Sequence, residues 1–260
     1  ACRSWSLASF FEGLSTKTDF AETLDGISSF AVARSGEEAA TALVDPKVLA
    51  VFLDRGEMGR ELHLKWEKNL HSIPDFEATG SLVGDSLTWS GLPPEVESLE
   101  ELRQETFQEV ISLASDFLAA AGQTTPLRLR FACISYVQCS RLHLDDVPLR
   151  LVCVLAGAGT DVLPESKADR CALQRLEALP LDSQGSMSSP DWNQHIVASE
   201  SVEQAVTEVP SGWAVLLKGS AWEHGRVQGV LHRSPSQVSK RVLLQVDFAD
   251  YVDPDTPDTE

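Results

Sequence analysis

At Gly122 the chain changes texture, and that change limits its folds more than any other feature. Before it, Glu95–Ala121 carries apolar residues at mixed three- and four-residue spacing. Leu99, Leu102, Phe107, Val110, Ile111, Leu113, Ala114, Phe117 and Leu118 then share one stripe of a long helix. Pro93 and Pro94 precede the helix, acidic residues crowd its first turns and Gly122 closes it. After Gly122 come short runs of β-forming residues at Leu127–Val137, Val147–Gly157, Gly212–Gly219, Val227–Ser234 and Arg241–Phe248. Gly, Pro and Ser separate them, which predicts a sandwich or barrel.

The first third reads as helical, with apolar periodicity over Trp5–Leu14 and Glu37–Leu53. Ile73–Pro94 is rich in Ser, Gly and Pro and reads as a loop. Leu163–Ser211 is polar, with a helix around Lys167–Leu179, and reads as an insertion into the β region. From Asp247 onward the chain carries six acids and no base, the pattern of a solvated end. The expected organisation is a helical region over 1–94, a long helix plus β-domain over 95–249, and an acidic disordered tail over 250–260. The expected fold class is α+β.

Hydrophobic residues make up 43% of the 260, which is ample for a sizeable core. No apolar run reaches the roughly 18 residues of a membrane span. A net charge of -18 repels nucleic acid and anionic lipid, so neither is an expected partner, while a divalent cation or a basic protein remains compatible. The five cysteines, Cys2, Cys133, Cys139, Cys153 and Cys171, are odd in number and irregular in spacing. That pattern argues against a disulfide framework and for a reducing intracellular compartment, the cytoplasm first. The chain begins at Ala1, so the lack of a visible targeting segment carries no weight.

One constellation carries chemistry. His143 and Asp145 lie two apart, and on a strand positions i and i+2 face the same way. Imidazole and carboxylate then converge on one point, as adjacent ligands of a metal must. His232, 87 residues after Asp145 in another strand-like run, is the candidate third ligand. Two His and one carboxylate leave half of an octahedron open, which suits iron(II) binding a co-substrate and oxygen. A 2-oxoglutarate co-substrate needs a cation for its far carboxylate. Arg241 opens the strand after His232, and a guanidinium fork matches a carboxylate. Arg150, in an apolar run, needs a partner if buried and is the second candidate.

Other residues have plainer readings. Strand parity turns Asp146 and Arg233 away from their neighbours Asp145 and His232. His195 and His224 lie in loop-like stretches, and His63 and His71 flank a polar one, where they are expected to be solvated. Cys139 shares parity with His143 and leaves a cysteine-containing zinc site open, although no Cys-x-x-Cys pair supports it. The segment Gly157–Thr160 lacks the lysine of a phosphate loop and reads as a tight turn.

The order His-x-Asp, long gap, His and then Arg resembles that of double-stranded β-helix oxygenases that use iron(II) and 2-oxoglutarate. The resemblance implies a dioxygenase hydroxylating a substrate that the sequence does not name. The Arg-x-Ser pair common in those enzymes is here Arg241-Val242-Leu243. The chain also resembles domain-of-unknown-function family 1826 over roughly Tyr136–Asp247. The matching positions are Cys139, His143, Asp145, Arg150, Leu151, Cys153, Gly157, Gly159, Thr160, Asp161 and the run His232-Arg233-Ser234-Pro235. Ala158 and Leu142 depart from the pattern, standing where a proline and an aromatic are usual. That family's bacterial members often sit beside zinc-homeostasis genes. The second resemblance therefore implies a rival, a zinc-binding protein without oxygenase activity; a third reading keeps the barrel as a non-catalytic interaction module.

Overall fold

The computed structural model describes residues 17–83, 86–124, 126–198, 200–222, 228–236 and 239–249. In chain order the elements are α1 (Lys17–Thr23), β1 (Phe30–Ala33), α2 (Gly36–Leu43), β2 (Ala50–Leu53), α3 (Gly56–Asn69), β3 (Phe76–Val83), β4 (Ser86–Ser90), α4 (Pro94–Glu97) and α5 (Glu100–Ala121). There follow β5 (Leu127–Ile134), β6 (Leu149–Ala156), β7 (Asp161–Val162), α6 (Arg170–Glu177), α7 (Leu181–Ser186), α8 (Ser189–Ile196), α9 (Val202–Ala205), β8 (Thr207–Glu208), β9 (Ala214–Lys218), β10 (His232–Arg233) and β11 (Arg241–Phe248).

Alternation on β5, β6 and β11 sorts side chains onto two faces. Leu129, Phe131, Leu151, Cys153, Leu244 and Val246 point outward into a core shared with α2, α3 and α5. Arg150, Val152, Arg241, Leu243 and Gln245 point inward and line a cavity. These strands belong to an eight-stranded sheet of order β1-β2-β9-β6-β11-β5-β3-β4, antiparallel except for β1 with β2. A smaller sheet, β10-β7-β8, is extended by a bridge between His143 and His232. From β5 onward the chain passes back and forth between the sheets, with β7 and β8 consecutive in the small one. β5, β6, β9 and β11 lie in the large one; the His143 segment, β7, β8 and β10 lie in the small one. Val162 and Val230 share an apolar cluster with Phe52 and Val215, so the sheets face each other. This winding is a double-stranded β-helix, and with α2, α3 and α5 packed outside the large sheet the fold is α+β.

Several elements differ from the sequence expectation. Over Glu37–Leu53 the helix ends at Leu43, and Ala50–Leu53 is a strand with every residue buried. A strand covered on both faces shows no alternation, so its apolar run imitates a helix segment. Phe30–Ala33 is likewise a strand, and the first third is not all helix. Ile73–Pro94 is no loop: it holds the hairpin β3-β4. Its strand glycine has a packing reason, since a Cβ on Gly80 would meet the Trp89 ring at 2.7 Å. The long helix is interrupted at Ser98 and Leu99, splitting α4 from α5, and Gly122 closes α5 at φ 62°. Only His232 and Arg233 of the Val227–Ser234 run pair as a strand among the described residues. His63 is not simply solvated; its Nδ1 lies 3.0 Å from the Leu155 carbonyl and ties α3 to β6. Trp5–Leu14, His224, Cys2 and the tail 250–260 lie outside the described residues. The described cysteines are free thiols. No helix among the described residues is long and apolar enough to cross a membrane.

Phe131, fully buried, meets Trp66, Phe76 and Trp89 at ring distances of 5.5, 5.2 and 5.8 Å. It joins the helical layer, the hairpin and the large sheet. Phe131→Ala is expected to destabilise the protein by about 3–5 kcal/mol, read from urea unfolding. A loss below about 1 kcal/mol would show that these layers do not share one core.

Candidate metal centre

The i, i+2 spacing does what strand geometry requires. His143 Nε2 lies 3.6 Å from Asp145 Oδ1, and His232 Nε2 lies 3.3 Å from Asp145 Oδ2. One ligand atom from each of His143, Asp145 and His232 falls within 4.8 Å of the others. The two imidazoles are brought together by paired backbone bonds, each peptide N–H donating to the other residue's carbonyl at 3.1 Å.

The surroundings of the triad fit a cation. His143 Nδ1 lies 2.9 Å from the Arg141 carbonyl, and His232 Nδ1 lies 3.2 Å from the Val230 carbonyl. A carbonyl only accepts, so each ring donates from Nδ1 there, which leaves Nε2 as the nitrogen directed at Asp145. Asp145 Oδ2 is buried and has no hydrogen-bond partner among the described residues. Two imidazole nitrogens and a buried carboxylate oxygen that converge on one point hold positive charge between them, as ring protons or as a metal ion that replaces them. Asp145 Oδ1 is held instead by Arg150 Nη1 at 2.7 Å. Arg150 also donates through Nε to Asp247 Oδ1 at 2.8 Å and through Nη2 to Oδ2 at 3.2 Å. Expected as a candidate for an anion, Arg150 thus reaches the site but braces the ligand carboxylate.

Electrostatics agree with this geometry. Burial would raise the Asp145 carboxyl, but His232, then His143 and Arg150, hold it well below the usual carboxylate range. Burial would lower the His143 imidazole, but its hydrogen bonds to Asp145 and Cys139 push it up to about 10. Cys139 Sγ sits 3.4 Å from His143 Nδ1, the side of the ring turned away from Asp145, so it stands behind the ligand rather than beside it.

Arg241 is 4% exposed and opens onto the same cavity, whose volume is about 160 Å³. Its Nη2 donates to Ser234 Oγ at 2.9 Å, and among the described residues it makes no ion pair with a carboxylate. Burial, with Arg130 adding repulsion, lowers its guanidinium to about 10. Ser234 has no role in the sequence reading beyond the family match. The available signal is parity: it lies two residues after His232 and faces the same cavity. Asp247, the carboxylate behind Arg150, is likewise absent from the sequence reading of the site. Arg233 pairs with Asp161 at 2.9 Å and joins β10 to β7, but it also lines the cavity beside His232, against the expectation from strand parity. Asp146 accepts from Ser220 Oγ at the surface, and His195 is exposed. A Cβ on Gly159 would meet the Val209 carbonyl at 1.8 Å, so Gly157–Thr160 is a tight turn pressed against backbone.

Residues 84–247 match the family described as "Protein of unknown function (DUF1826)". No curated protein matches the chain. Similar solved structures include the rice dioxygenase for auxin oxidation, at 15% identity over 82% of this chain and 78% of that one, with a TM-score of 0.44. Dioxygenase for auxin oxidation 1 of Arabidopsis thaliana, solved as a 2-oxoglutarate binary complex, gives 11% identity over 84% and 91%, with a TM-score of 0.41. A Pseudomonas putida prolyl-4-hydroxylase gives 10% identity over 82% and 97%, with a TM-score of 0.33. The strand order and bridges of this chain, not these likenesses, establish its fold. None of these observations supports a link to zinc homeostasis.

A metal entering the site must displace the proton that His143 otherwise holds. Because the His143 pKa lies above neutrality, affinity for a divalent ion rises with pH while that proton is being lost. Co(II) titrations between pH 6 and 8 are expected to tighten about tenfold per unit for one released proton. Affinity independent of pH over this range would show that His143 enters the site already deprotonated, with its pKa below about 6.

Proposed function

This chain belongs to the DUF1826 family of proteins of unknown function, and we propose that it is an iron(II)- and 2-oxoglutarate-dependent dioxygenase that hydroxylates a small-molecule or protein substrate. One observation carries the reading. A buried guanidinium without a carboxylate partner among the described residues opens onto the same cavity as a triad of two imidazoles and a carboxylate. The cavity calls for a cation at one end and an anion at the other. A dicarboxylate that chelates a metal through its keto-acid end satisfies both.

Each residue then has a defined task. His143 and His232 offer Nε2, and Asp145 offers the Oδ2 that no hydrogen bond claims. Arg150 holds Oδ1 and directs Asp145 toward one-oxygen ligation, which leaves room for the other ligands. Arg241 and the Ser234 hydroxyl receive the far carboxylate of 2-oxoglutarate, so Ser234 supplies from β10's extension the hydroxyl that the Arg241-Val242-Leu243 stretch lacks. At about 160 Å³ the cavity falls below the roughly 300–1,000 Å³ of drug-sized pockets, which favours a small co-substrate with the main substrate at the mouth. When bound, iron(II) supplies the activation of oxygen coupled to decarboxylation of 2-oxoglutarate.

Succinate formation with iron(II), oxygen and 2-oxoglutarate tests the proposal, since decarboxylation without the true substrate is expected at a slow rate. His143→Ala and Asp145→Ala are expected to abolish it. Arg241→Ala is expected to weaken 2-oxoglutarate binding by about 1.5–3 kcal/mol, roughly ten- to hundredfold. Succinate formation that survives Asp145→Ala would place the chemistry elsewhere. Tight zinc binding with no succinate in the presence of iron would put the zinc-binding reading in its place.

A further inference from the structure

The segment that carries His143 has a backbone ladder on one edge only. His143 pairs with His232 on β10, and the other edge faces α8 of the inserted helices. There, Asn193, 1% exposed, accepts from the Leu142 N–H through Oδ1 at 2.6 Å and donates through Nδ2 to the Ser140 carbonyl at 2.8 Å. Trp192 Nε1 donates to the Leu142 carbonyl at 3.0 Å. Both peptide groups of Leu142 are therefore taken by side chains of one helix. The Arg141 guanidinium stacks over the Trp192 ring at 4.9 Å, and Leu142 is buried in the same apolar cluster as Trp192.

We propose that Asn193 and Trp192 are positioning residues for the metal ligand His143, with α8 standing in for a missing neighbouring strand. The inference rests on the metal site of the preceding reading. Its physical basis is the two-sided hold on a short segment. Odd residue His143 bonds to β10, while even residues Ser140 and Leu142 bond to α8, the alternation of a central strand. Without the α8 side, the segment is an edge held from one side, by the His143–His232 bridge and by the Ser234 N–H donated to the Cys139 carbonyl. The His143 ring also takes its orientation from the Arg141 carbonyl inside that segment, so motion there moves Nε2 away from Asp145 and His232. The insertion is thereby part of the metal site, although none of its residues touches the metal position.

The experiment compares the full chain with Asn193→Leu, which keeps the size and removes both bonds, and Trp192→Phe, which keeps the ring and removes one donor. Leu173→Ala, in the same cluster, is the control for general loosening because it removes none of these bonds. Co(II) affinity is expected to fall about tenfold or more in Asn193→Leu, the scale for residues that orient metal ligands, and less in Trp192→Phe. Leu173→Ala is expected to lower the melting temperature with Co(II) affinity unchanged. In the metal-free proteins, amide hydrogen exchange over 140–143 is expected to accelerate in Asn193→Leu and Trp192→Phe while β11 stays protected. Wild-type affinity in Asn193→Leu, or a loss no larger than in Leu173→Ala, overturns this inference and leaves the metal site standing. A wild-type chain that binds no Co(II) overturns both.

Discussion

Asp145 is a carboxylate buried between two sheets, and the rest of the site is arranged around keeping it ionised. A buried charge left alone costs several kcal/mol, so it needs compensation on both oxygens. Arg150 compensates Oδ1 and is itself fixed by Asp247 on the last strand. Oδ2 lies 3.3 Å from His232 Nε2, Oδ1 lies 3.6 Å from His143 Nε2, and among the described residues no hydrogen bond reaches Oδ2. The asymmetry matters for function. In the proposed metal site, one oxygen is committed to the protein and the other is left for an ion that the imidazoles would share.

The double-stranded β-helix makes this arrangement possible by dividing labour between its sheets. The small sheet brings His143 and His232 side by side through one antiparallel bridge. The large sheet contributes Arg150 from β6 and Arg241 from β11, both inward-facing, and keeps its outward-facing residues for the helical core. The candidate metal ligands and the arginine proposed to meet an anion thus arise on opposite walls of one cavity. The inserted helices α6–α9 cover the small sheet and bond to the open edge of the His143 segment, which strand pairing alone leaves unsupported.

Local features of the site are legible in the amino-acid sequence. His143 and Asp145 converge because strand geometry acts over two residues, and the late His232 with Arg241 follows in a recognisable order. The role of Arg150 is not legible there, because its partner Asp247 lies 97 residues away and only the pairing of β6 with β11 brings them together. Ser234 is hidden for a similar reason: its hydroxyl gains meaning only once Arg241, seven residues later, folds back beside it. In the fold, β2 reads as helix because burial on both faces erases alternation. The β3-β4 hairpin reads as loop because its Ser and Gly content reflects an edge position and close packing against Trp89.

The sequence by itself determined the elements with strong period, the long helix after Pro94 and the alternating strands β5, β6 and β11, together with the pair of ligands two residues apart. These depend on backbone geometry over a few residues, where side-chain pattern and conformation are directly coupled. The tertiary structure alone decided that Arg150 pairs with Asp145 and Asp247 while Arg241 opens onto the cavity beside Ser234, and which edge the insertion closes. A buried charge is assigned its partner by proximity in space, and spacing along the chain carries no record of which strands become neighbours.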